Sequence, residues 1–309
     1  MRPWPRPLRI ARSHRRIRDS LGRVALISGT CVGAGVTGCA PAVTDGVFAD
    51  QDIAVPATGD ATTSDISTAA SGLSGQWAMV AEWSTCVKVI DEIETRAWRL
   101  LLIDAVHSAN GLRETRTLCE LRLSPILGLA TIVPQPLIDA HPKMEVESFV
   151  LGGDAVGAVY QGGPEVQRFG INFTSPLTEP MPTKEQTDDP RLEDTENDGK
   201  PGATFTVGPS CAIHIAQREV SGLQGTIVAK GRIEGGGVHQ TEQVVFGSTK
   251  AICGQAFSTR ANDAHNRFVM VRAEAFDDDK DGKVTCAELR AHGEEIAPQP
   301  KANDASCLP

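Results

Sequence analysis

Between Asp277 and Glu288 the chain places Asp277, Asp279 and Asp281 at alternating positions, then Gly282, Lys283, Val284 and Thr285, and ends on Glu288. Carboxylates two residues apart can turn inward onto one point if the backbone bends, and Gly282 permits that bend. The carbonyl of Lys283, the hydroxyl of Thr285 and both oxygens of Glu288 would add further oxygen ligands, while Val284 ties the loop to a core. Such an all-oxygen set suits a hard cation that takes six to eight ligands, Ca²⁺ above all. The competing reading of the same residues is a solvated acidic turn that caps a helix starting near Cys286.

The spacing resembles the twelve-residue calcium loop of the EF-hand family at each informative position. Two features depart from that family. The entering segment, 268–276, reads at least as well as a strand as a helix, and no partner loop lies beside it. A lone site of this kind implies static stabilisation, not sensing. A second turn, Asp194, Glu196, Asp198 and Gly199, repeats the opening of the pattern and resembles the acidic turns of secreted calcium-binding repeats. There Pro201 replaces the aliphatic residue and Phe205 stands where the closing carboxylate belongs, so a polar connecting loop competes with a second metal site.

The elements that would position these loops follow from composition. With 309 residues, 40% of them hydrophobic and 22% charged, the chain can bury a core, and 30 Gly and 19 Pro argue for short elements joined by turns. Strands are expected over 76–82, 97–106, 113–123, 130–133, 145–150, 155–160, 168–173, 204–207, 212–218, 226–233, 242–246 and 267–274, with helices only over 137–141 and 286–295. In 113–118 polar residues occupy both alternating faces. Close spacing with little intervening helix predicts a mainly β fold: an antiparallel barrel or sandwich with few short helices and a C-terminal calcium loop and helix. Gly75-Gln76-Trp77 resembles the G-x-W start of lipocalin-like barrels, which favours the barrel and admits a carrier of a small apolar ligand.

The first 38 residues hold eight Arg and one acid, and 24–38 is a short uncharged stretch of small and apolar residues, the layout of a secretory signal. Val36-Thr37-Gly38-Cys39 resembles the lipobox of bacterial lipoproteins, which implies lipid on Cys39; an ordinary cleavable signal is the alternative. Ala40 after the Cys points to the outer membrane. Arg15-Arg16 hints weakly at twin-arginine export. Residues 39–72, rich in Ala, Thr, Ser and Asp, read as a flexible tether. The expected organisation is therefore signal peptide 1–38, tether 39–72, β domain 73–276 with its halves joined by acidic 180–202, and calcium loop, helix and tail 277–309.

Without the leader, 22 basic and 38 acidic residues remain, a formal net charge of −16, which disfavours nucleic acid and favours cations as partners. Six cysteines follow Cys39: Cys86, Cys119, Cys211, Cys253, Cys286 and Cys307. An even number in an exported chain implies disulfides, with 15 connectivities open. Pairing by neighbourhood predicts Cys86 with Cys119, Cys211 with Cys253, and Cys286 with Cys307. The histidines beyond the leader are scattered, no catalytic motif is present, and nothing selects a pair of carboxylates for a hydrolase. The layout resembles secreted lipoproteins of Gram-negative bacteria that join a β domain to D-x-D-x-D-G turns. That resemblance implies a structural or binding module, with a small-ligand carrier second and an enzyme third.

Overall fold

The computed structural model describes residues 70–88, 92–108, 111–126, 128–251, 253–254, 258–299 and 307. The signal peptide, Cys39 and nearly all of the tether lie outside the described residues. Eleven strands form one antiparallel sheet: β1 (Gly75–Lys88), β2 (Glu92–Ser108), β3 (Gly111–Leu123), β4 (Thr131–Ile132), β5 (Met144–Leu151), β6 (Val159–Phe169), β7 (Ala203–Val207), β8 (Cys211–Ala229), β9 (Arg232–Ser248), β10 (Ser258–Ala261) and β11 (Arg267–Arg272). Two α-helices, α1 (Gln135–Asp139) and α2 (Cys286–Ile296), accompany them.

The sheet closes on itself. β1, β2, β3, β5, β6, β8, β9 and β11 pair in that order, and β11 returns to β1, giving an eight-stranded ring; of barrel and sandwich, the chain forms the barrel. The remaining strands continue lines where ring partners stop: β7 follows β6 along β8, β10 follows β11 along β1, and β4 pairs with β7. Strands on both sides of the acidic 180–202 connection thus enter one sheet.

Alternation decides which residues face inward. On β1, Trp77, Met79, Ala81 and Trp83 point into the barrel core, while Ala78 and Val80 point outward. Both faces of β1 are nevertheless buried, because the C-terminal segment covers the outside. There Trp98, Leu100, Leu102 and Cys119 meet Val284, Leu289, Ile296 and Ala297 in a second apolar cluster. Across β3 and β5 the outer face carries polar pairs, Arg113 with Glu147 at 3.2 Å and Thr115 with Glu145 at 2.9 Å, and then exposed Phe149 and Leu151. Among the described residues no helix is long and apolar enough to cross a membrane.

Two expected disulfides are corrected. Cys211 pairs with Cys253 as expected, but Cys86 pairs with Cys307 and Cys119 with Cys286. Strand β2 separates Cys86 from Cys119, and their positions face Glu94 and the Leu100–Leu101 bulge respectively, too far apart along the strand for the Cα separation a disulfide needs. Both bonds instead fasten the C-terminal segment to the barrel wall.

Several strand boundaries also differ, and β10 lies outside the expected set. The turn signal Gly162-Gly163-Pro164 does not end a strand; a register shift between Gly162 and Glu165 absorbs it within β6. The expected strand 226–233 is the tip of the β8–β9 hairpin. The expected strand 242–246 begins earlier, at Arg232, and glycines 235–237 lie inside β9 where backbone and rings crowd in: a Cβ on Gly235 would collide with the Gln224 carbonyl and sit 2.8 Å from the Phe268 ring, and one on Gly237 would collide with the Gly222 carbonyl and sit 2.9 Å from Trp83.

Candidate functional site

The acidic loop joins a 3₁₀ turn, Ala273–Phe276, to α2 and lies on the outer face of the barrel. Lys280 and Gly282 adopt φ of +60° and +85°, and these two left-handed residues curl the segment. One carboxylate oxygen from each of Asp277, Asp279 and Asp281 lies within 4.8 Å of the others. The curl is held by Gly282 N–H donating to Asp277 Oδ2 at 2.9 Å, Asp281 N–H to Asp279 Oδ1 at 3.1 Å and Lys283 N–H to Asp281 Oδ1 at 2.8 Å. Asp277 Oδ1 is buried and accepts no hydrogen bond.

Thr285 and Glu288 are held differently. Thr285 is the N-cap of α2 and forms a capping box with Glu288, whose Oε2 accepts from Thr285 N–H at 2.8 Å and from its hydroxyl at 2.8 Å. Glu288 Oε1 accepts from Asp278 N–H at 3.1 Å. The Thr285 hydrogen bonds hold the Glu288 carboxyl below its ordinary pKa. The ion-binding and helix-capping readings therefore divide the residues: the three aspartates are gathered, while Glu288 stands apart from them with both oxygens engaged at the helix start. The donor set, one oxygen from each of three carboxylates within 4.8 Å, is of the kind a hard cation takes.

The second turn repeats the curl. Asn197 and Gly199 have φ of +56° and +75°, Gly199 N–H donates to Asp194 Oδ2 at 2.8 Å, and Lys200 N–H donates to Asp198 Oδ1 at 2.9 Å. These match the first loop position for position. The carboxylates of Asp194, Glu196 and Asp198, however, are not gathered as those of the first loop are. Asp198 Oδ2 accepts from Thr204 Oγ1 at 2.7 Å and Glu196 Oε1 from Thr204 N–H at 3.1 Å. Burial raises the Glu196 pKa. Phe205 lies in the barrel core, where it cannot be replaced by a closing carboxylate from the same position.

All six cysteines that follow Cys39 are in disulfides, so the grouping of Cys86, Cys307 and Glu92 offers no thiolate to a metal.

The barrel interior holds charges that sequence spacing did not select. Arg116 donates to Glu114 Oε2 through Nε at 2.9 Å and Nη2 at 2.6 Å, to Glu165 through Nη1 at 2.5 Å, and to the Tyr160 hydroxyl at 2.9 Å. The Tyr160 hydroxyl donates in turn to Glu114 Oε1 at 2.9 Å. Burial disfavours the Arg116 charge, yet Glu114, Tyr160 and Glu165 together raise its pKa well above the ordinary value. Arg99 ion-pairs with Glu219, both buried. The one signal in the sequence was the polar occupancy of both faces in 113–118. A carrier of apolar molecules calls for an apolar cavity with few internal charges, and this interior contains two arginines and three glutamates.

At the rim, Thr85 Oγ1 lies 3.0 Å from His239 Nε2, with Asp263 Oδ1 3.6 Å from Nδ1. The order is hydroxyl, imidazole, carboxylate, but Asp263 Oδ1 accepts from the Asn266 amide at 2.8 Å, and that amide lies nearer Nδ1, at 3.1 Å. The carboxylate is thus not bonded to the imidazole, as a nucleophile-activating triad requires.

Comparison of the chain with protein-family models, with curated proteins and with solved structures finds no match, so the functional reading rests on these residues.

Proposed function

We propose that this chain is a calcium-stabilised, lipid-anchored protein of the cell envelope, of the outer membrane in the sense that Ala40 follows the lipobox, and that its barrel serves as a structural or binding module. The observation that supports the metal is the gathering of Asp277, Asp279 and Asp281, together with a buried and unpartnered Asp277 Oδ1. Lys283 through its carbonyl, Thr285 and Glu288 would complete an oxygen shell. The loop begins the segment that covers the outer face of β1 to β3, and the Cys119–Cys286 bond fastens it there, so bound calcium would clamp that cover. Export agrees with three disulfides. Lipid on Cys39 would anchor the chain without spanning the membrane. Asp194, Glu196 and Asp198 form a weaker candidate of the same kind.

The test is calorimetric titration of Ca²⁺ into the metal-stripped full chain beside Asp279→Asn and Glu288→Gln, with melting temperatures measured with and without calcium. Binding in the parent, its loss in both variants and a calcium-dependent rise in stability are expected. No heat and no shift at millimolar calcium would reduce the loop to a helix cap. For the anchor, Cys39→Ser is expected to move the protein from the detergent phase to the aqueous phase.

A further inference from the structure

The upper half of the barrel, toward the Trp83 end of β1, concentrates buried polar atoms that no protein group satisfies. Gln167, 2% exposed, has neither its Oε1 nor its Nε2 paired. Trp83 Nε1 and Arg99 Nε, on side chains 3% and 2% exposed, and Nε2 of buried His141 are likewise without partners. Native interiors pair nearly all such groups, with protein, ordered water or ligand.

These atoms converge. The Arg99 guanidinium lies 5.8 Å over the Trp83 ring and pairs with Glu219, which stands opposite Gln167 in the β6–β8 register. His141 packs on Phe169, two residues beyond Gln167 on the same face, with ring centroids 5.1 Å apart. The residues that carry the unpaired groups therefore come from four parts of the chain that neighbour one another at this end of the core: β1, β2, β6 and the segment after α1. Leu137 and Ile138 of α1 belong to the same core and cover it.

The inventory specifies a chemistry. Trp83, Arg99 and the Gln167 amide nitrogen are donors. Gln167 Oε1 is an acceptor, and so is His141 Nε2, since Nδ1 lies 2.8 Å from the Pro142 carbonyl and donates to it. Arg99 is already neutralised by Glu219, so a charged ligand would gain no counter-ion. Hydroxyl groups, which donate and accept, match a mixed set of this kind, and the faces of Trp83 and Phe169 are already taken by Arg99, His239, His141 and Phe205.

We infer that the upper barrel binds a small neutral polyol, held by Trp83, Arg99, Gln167 and His141. This rests on the binding-module reading of the barrel and is independent of the calcium loop.

The full chain, saturated with calcium, is titrated with glycerol, myo-inositol and D-glucose while the indole N–H resonances are followed by NMR. The Trp83 signal is expected to shift saturably at millimolar concentration with at least one probe. Those of Trp77 and Trp98, whose N–H groups already donate to the carbonyls of Leu73 and Ala297, stay in place. Gln167→Leu should weaken binding at least tenfold while leaving the calcium-dependent rise in melting temperature intact, and Trp83→Phe, which removes only one donor from a similar ring, should weaken it independently. The inference is overturned if no probe saturates, if all indoles drift together in proportion to concentration, or if both variants bind as the parent does. Loss of the calcium response alone bears on the metal reading and not on this one.

Discussion

Gln76 grips the backbone of Val284 on both sides of its Cα: Gln76 Oε1 accepts from Val284 N–H at 2.8 Å and Gln76 Nε2 donates to the Val284 carbonyl at 3.3 Å. Gln76 belongs to the second position of the first barrel strand and Val284 to the eighth position of the acidic loop, 208 residues later. Its amide also donates to Asp104 Oδ1 at 3.1 Å, which fixes it against β2. The loop is thereby attached to the barrel wall by its backbone, and Val284 buries its side chain in the outer cluster.

Gln76→Ala removes that attachment and leaves the buried Val284 N–H unpaired. Loss of about 1–3 kcal/mol in urea unfolding is expected. Because the loop's shape depends on the same contact, calcium affinity should fall as well, and calorimetry on the variant checks it. Unchanged affinity together with unchanged stability would mean that the loop keeps its form without the barrel.

Much of this architecture was legible in the sequence, for local reasons. The curl around Asp277 to Gly282 follows from residues that are adjacent in the chain, and the helix after it from Thr285 and Glu288, a capping pair three apart. The strands with clean alternation, such as 145–150, were placed within a residue or two of β5. What the sequence concealed is set by distant neighbours. Cys119 pairs with Cys286 because α2 folds back over β3, a long-range event that spacing does not encode. The need for glycines in β9 shows only once the β8 backbone, Trp83 and Phe268 are placed beside them. Glu114 and Arg116 face inward on the same alternation as Leu112 and Leu118, so their burial becomes visible only once Glu165 and Tyr160 are known to meet them.

That last network carries the second prediction. Arg116→Met leaves Glu114 and Glu165 buried without their cation, and a broken buried ion pair costs about 3–5 kcal/mol. Adding Glu114→Gln and Glu165→Gln removes the stranded charges and should recover a large part of the loss. Urea unfolding of the single and triple variants at neutral pH measures both. If the triple variant is no better than the single one, shape and not charge governs this part of the core.

The third prediction concerns acid. Burial holds the His141 imidazole at a pKa of about 4, below the 6.5 of an exposed histidine. Between those values the unfolded chain binds a proton that the folded chain does not, so stability rises with pH through this window. The contribution is fully present above pH 6.5 and is lost as pH falls toward 4, by about 3 kcal/mol for a shift of this size. His292 works in the opposite direction: the hydrogen bonds it donates to Asp278 and then to Glu295 raise its pKa, so its contribution is present at low pH and is lost as pH rises, but the side chain is too exposed for the effect to be large. Glu94, buried against Ser84 and His265, titrates below its ordinary value and so adds its own loss only at lower pH. His141→Asn should therefore flatten the wild-type slope between pH 6.5 and 4.5 while leaving the steeper acid limb in place. Unfolding free energies of the two proteins measured at half-unit intervals test this, and a wild-type minus variant difference that stays constant from pH 7 to 4 would show that His141 does not titrate with folding.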